Sequence, residues 1–165
     1  HLVPLADLST LAAGCTDTTN ADDPGLSIVD CPTLDGVDCT NASFGASLAL
    51  GDVDADGRAD LMVGAPRMTV DGKPAAGGVF VVAGSTSGID ATRSAFMQIS
   101  NPSGDDRLGA SLAALRTHYG IPGVTERYEV AAGAPGANAA FVFLCSGLGD
   151  DVSTTGSRCL ELAAE

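Results

Sequence analysis

Residues Phe44 to Pro66 read FGASLALGDVDADGRADLMVGAP, and the reading of the chain starts from them. It joins a Phe-Gly start, an acidic loop and a Gly-Ala-Pro stop in one short span. The loop GDVDADGRAD puts carboxylates at Asp52, Asp54, Asp56 and Asp60. Like charges this close repel by roughly 3 kcal/mol per pair at ~5 Å and an effective dielectric of ~20. A hard cation relieves that repulsion, and oxygen ligands on alternating positions suit Ca²⁺. The candidate metal ligands are therefore Asp52, Asp54, Asp56, Arg58 through its main-chain carbonyl, and Asp60.

The loop is not an EF-hand. Counted from Asp52, acidic residues fall at positions 1, 3, 5 and 9 with Gly57 at 6, but position 12 is Val63, which cannot coordinate. The flanks SLAL and ADLMVGA are short, apolar and bounded by Gly or Pro, so they read as strands rather than helices. The loop is then the tight link of a β-hairpin, with Gly57 supplying the positive φ such a turn needs.

The pattern recurs. LGASLAAL at 108–115 answers FGASLALG at 44–51, and VAAGAP at 130–135 answers LMVGAP at 61–66. The offset is 64 residues from Phe44 to Leu108 and 69 from Pro66 to Pro135. A fixed long period points to a repeat architecture. Each unit reads as four strands, near 46–51, 59–65, 78–83 and 95–99 in the first and near 110–116, 128–134, 139–144 and 158–162 in the second. Gly, Pro, Asp and Ser clusters such as SGID at 87–90 punctuate them. The second unit replaces the acidic loop with the longer RTHYGIPGVTERYE, in which Glu126 and Glu129 lack ligand spacing, so one metal site per chain is expected.

The Phe44-Gly45 start, the Asp52 to Asp60 loop and the Gly64-Ala65-Pro66 stop resemble the FG-GAP repeat of integrin α-subunit β-propellers and related bacterial proteins. The resemblance runs over about 44–144 and reaches toward 162. It implies an all-β fold of two four-stranded antiparallel propeller blades, at 44–107 with the calcium loop and 108–165 without it. Residues 1–43 form a leading segment, with GLSIVD at 25–30 as the last strand of a preceding blade. It also implies a calcium-binding, extracellular adhesion or protein-binding scaffold whose cation loops are structural. The alternative is a non-catalytic propeller portion accessory to a secreted hydrolase. Dockerin-like and thrombospondin-like modules share DxDxDG but set it in helical or strand-poor contexts.

Composition bounds the rest. A chain of 165 residues suggests one domain, and a net charge of −13 argues against nucleic acid and anionic membranes as partners. No apolar run approaches the ~18 residues of a membrane span. No G-x-S-x-G, H-E-x-x-H, phosphate loop or dinucleotide fingerprint occurs, and His118 reads as a solvated loop residue, so no enzyme is expected.

Five cysteines, Cys15, Cys31, Cys39, Cys145 and Cys159, with a loop that needs abundant calcium, point to a secreted, cell-surface or periplasmic setting. Cys145 and Cys159 could close the end of the second unit, and Cys31–Cys39 or Cys15–Cys31 could pair. Asn41-Ala42-Ser43 is a glycosylation sequon, whereas Pro102 blocks the one at Asn101. HLVPLADLSTLAAGC ends like a lipoprotein box, but Asp7 interrupts its apolar run and no basic residue precedes it. The missing initiator Met suggests a processed or excised chain. Two blades do not close a ring, so self-association or membership of a larger propeller is expected.

Overall fold

Short apolar runs bounded by turn residues build antiparallel sheets in the computed structural model, which describes residues 29–31, 37–117, 127–145 and 159–162. The chain separates into two units, His1–Asp30 and Cys31–Glu165, and everything below concerns the second. The readings at residues 1–28, including Cys15 and nearly all of the leading strand, fall outside the described residues, as do His118 and Glu126.

The first sheet holds β2 (Ser47–Gly51), β3 (Asp60–Gly64), β5 (Val79–Ser85) and β6 (Gly88–Met97) in that spatial order. The second runs β7 (Ser111–Thr117), β8 (Arg127–Ala134), β9 (Ala139–Cys145) and β10 (Cys159–Leu162). A small pair, β1 (Val37–Asp38) with β4 (Thr69–Val70), accompanies them. Every strand pairing is antiparallel. The described fold is thus all-β and without helix, two meander sheets consistent with propeller blades in a ring that is not closed.

Alternation along β3 and β5 explains why both faces are apolar. Met62, Val79, Val81 and Ala83 face the second sheet and pack with its Val130, Ala132 and Phe143 and with Leu108, which precedes it. Val63 and Phe80 point the other way, into a cluster with Ala65, Met68 and Val70. Phe44 and Phe96 flank Phe80 at ring-centroid distances of 5.5 and 4.9 Å. The Cys31–Cys39 disulfide lies against that second cluster, which selects between the two pairings open in the sequence. The backbone register sets Cys159 opposite Cys145, while the side chains of that pair lie outside the described residues.

The two motif copies fold alike. Asn41, Ser43 and Gly45 have φ of 55°, 55° and 87°, and Asp105, Arg107 and Gly109, each 64 residues on, have 66°, 59° and 83°. This left-handed turn ends with the Gly45 N–H donating to the Gly64 carbonyl, as the Gly109 N–H donates to that of Gly133, both at 3.0 Å. Phe-Gly and Gly-Ala-Pro are therefore two ends of one hydrogen-bonded corner, and only Gly occupies that left-handed position in both copies without a Cβ penalty.

The fourth strand of the first sheet begins at Gly88, earlier than the expected 95–99. The hairpin turn is Thr86–Ser87, so of SGID only Ser87 lies in the turn and Gly88–Asp90 already pair with β5, with the Ser85 hydroxyl donating to the Gly88 carbonyl at 2.8 Å. The polar run that follows hides the strand from any apolar pattern. Its register with β5 jumps from Ser94 opposite Val82 to Asp90 opposite Ala83, leaving Ala91, Thr92 and Arg93 as a bulge.

Candidate metal centre

The hairpin β2–β3 closes with Gly51 opposite Asp60, so residues 52–59 form its connecting loop. Ala55 and Gly57 carry φ of 63° and 86°, which winds the chain tightly enough to bring alternate side chains inward. Carboxylate oxygens of Asp52, Asp54 and Asp60 lie within 4.8 Å of one another.

Backbone N–H groups hold each carboxylate in place. Asp52 accepts from the N–H of Asp56 at 3.0 Å and of Gly57 at 2.9 Å through its two oxygens. Asp54 accepts from Asp56 at 3.1 Å. Asp60 is fully buried and accepts from Val53 within the loop and from Gly84 at the end of β5, both at 2.9 Å. It ties the loop to a strand that is not its sequence neighbour.

The remaining two expected ligands stand differently. Asp56 accepts from the Arg58 N–H at 2.8 Å and from its guanidinium at 2.9 Å, so Arg58, expected to lend its carbonyl, holds Asp56 by two donors. Sequence reasoning missed Arg93, which reaches Asp54 at 3.5 Å from the bulge of β6. No local spacing could have found it, because the register jump alone brings it there.

The donor set fits a hard cation. Burial pushes the Asp60 carboxyl above its ordinary 3.8, the Gly84 and Val53 N–H groups pull it back, and Asp54 and Asp56 push it up further. A carboxylate raised chiefly by burial, and further by acidic neighbours, is one that a divalent cation would stabilise. An all-oxygen donor set is what hard cations such as Ca²⁺ and Mg²⁺ take.

Among known protein families, residues 44–82 match the FG-GAP repeat. The match spans the Phe44-Gly45 corner, the acidic loop, Gly64-Ala65-Pro66 and the chain into β5. No curated protein matches the chain. Among the described residues no helix is long and apolar enough to cross a membrane.

Proposed function

We propose that the chain is a calcium-stabilised segment of an integrin-α-like β-propeller, acting as a non-catalytic protein-binding scaffold in an extracellular, cell-surface or periplasmic setting. The observation that carries this reading is the convergence of Asp52, Asp54 and Asp60 on a hairpin inside the FG-GAP match. When bound, Ca²⁺ supplies the charge that balances these carboxylates. Asp60 then links that balance to structure, since it joins the β2–β3 loop to Gly84 of β5. The metal loop in this account sets strand register and does not itself touch a partner.

Its nearest partner is another blade of the same kind, from a second copy or a larger propeller. Where the two sheets meet, the Ser47 hydroxyl donates to the Gly109 carbonyl at 2.7 Å. Gly64, opposite Ser47 in the register, leaves room for Gly109 to approach. The equivalent pair, Ser111 opposite Gly133, lies on the far face of the second sheet, and Ser111 is exposed. On the first sheet Leu48 and Leu50 are 60% and 63% exposed, although Leu112, the counterpart of Leu48, packs between the sheets. Features of the inter-sheet seam therefore recur on the exposed side of β7 and along β2, while the central strands of the first sheet stay covered by the Val63–Phe80 cluster.

Thermal melting with calcium and with chelator tests the metal reading. With free Ca²⁺ about tenfold above Kd, the stability gain is about 1.4 kcal/mol, or roughly 3–5 °C in Tm for a chain of this size. Asp52→Ala abolishes that rise. An undiminished rise in Asp52→Ala would mean that the metal binds elsewhere.

A further inference from the structure

The loop carries its own counter-charge from outside. Arg93 lies on β6, far from residues 52–60 in sequence, and it sits in the three-residue bulge that the β5–β6 register jump creates. Asp90 shapes that bulge by accepting from the Thr92 N–H at 3.1 Å and from its hydroxyl at 2.6 Å. The bulge delivers the Arg93 guanidinium to Oδ2 of Asp54 at 3.5 Å, while Oδ1 of Asp54 holds the loop through the Asp56 N–H. The Asp54 side chain is 5% exposed and that of Arg93 28%, so the pair is more sheltered than Arg58–Asp56, where Arg58 is 43% exposed.

We propose that Arg93 sets the calcium affinity of the loop: it steadies the metal-free carboxylates and raises the calcium concentration at which the site fills. The inference rests on the calcium reading of Asp52, Asp54 and Asp60. The physics has one sign. In the metal-free chain a fixed positive charge beside Asp54 offsets the repulsion among the converging carboxylates. A divalent cation entering among the same carboxylates meets that charge as a repulsive neighbour. Arg93 thus favours the empty state over the filled one, and the loop needs less metal to keep its shape.

Calorimetric titration of chelator-stripped protein with Ca²⁺ tests this, on the wild type and on Arg93→Gln, Arg93→Met and Arg93→Lys. Met keeps an unbranched, largely apolar stem and serves if Gln folds poorly. Both neutral variants are expected to bind Ca²⁺ about fivefold tighter, allowing for solvent screening of a partly exposed guanidinium. Their melting temperature in chelator falls below that of the wild type, and Arg93→Lys returns both properties toward wild type. Neutral variants whose Kd stays within about twofold of the wild type, or weakens, overturn the role of Arg93 and leave the calcium site standing. A wild-type chain that takes up no Ca²⁺ overturns both.

Discussion

Asp60→Ala should lower stability in the presence of calcium by about 4 kcal/mol, roughly 10 °C in Tm. Asp60 is fully buried, and both of its oxygens accept backbone N–H groups, from Val53 and from Gly84. Truncation leaves two buried donors without an acceptor, each worth about 1–3 kcal/mol, and removes a metal ligand. In chelator the loss shrinks to about 2.5 kcal/mol, because the roughly 1.4 kcal/mol that Ca²⁺ adds to the wild type at about tenfold Kd is then absent. Equal losses in calcium and in chelator would mean that Asp60 serves the backbone alone.

The pH dependence separates the two roles. The folded-state pKa of Asp60 lies above its ordinary 3.8, so without metal its contribution to folding is full below 3.8 and is lost as pH rises through the raised value. In chelator the stability difference between wild type and Asp60→Asn should therefore narrow as pH climbs through that window. In calcium it should widen over the same window, because only the ionised carboxylate binds metal. Urea melts of both proteins at a series of pH values give the comparison, and a difference that ignores pH would contradict the raised pKa.

Gly64→Val should destabilise the chain by about 4 kcal/mol, while Gly133→Ala, at the same place in the second motif, should lose only about 1 kcal/mol. A Cβ on Gly64 runs into the Gly109 carbonyl and the Ser47 hydroxyl, and it breaks the bond between them. Gly109 has little freedom to retreat, since its N–H is fixed to the Gly133 carbonyl at 3.0 Å. The nearest atoms to a Cβ on Gly133 belong to Ser111, whose hydroxyl can rotate away. Denaturant melts of the two variants measure the contrast. Equal losses would mean that the Gly64 position matters for its own strand and not for the contact between sheets.

What was legible in the sequence was what closes locally. Phe44-Gly45 and Gly64-Ala65-Pro66 are tied by one hydrogen bond, and the recurrence of that bond at Gly109 and Gly133 explains why so few residues mark each repeat. The acidic alternation likewise lies on one hairpin, so spacing alone pointed to Asp52, Asp54 and Asp60. Asp56 and Arg58 share that spacing, and they pair with each other at 2.9 Å. The start of β6 was illegible because its residues are polar and their register jumps. Arg93 was hidden for the same reason. β1 and β4 are two-residue strands with no alternation to read, and the choice of Cys39 for Cys31 depends on where the chain lies over the Val63–Phe80 cluster.

The most direct measurement is calorimetric titration of the chelator-stripped chain with Ca²⁺, beside Asp60→Asn under the same conditions. One Ca²⁺ per wild-type chain, with the binding heat lost in Asp60→Asn, is the expected result. No binding by the wild type, or undiminished binding by Asp60→Asn, would contradict a calcium centre built on Asp52, Asp54 and Asp60.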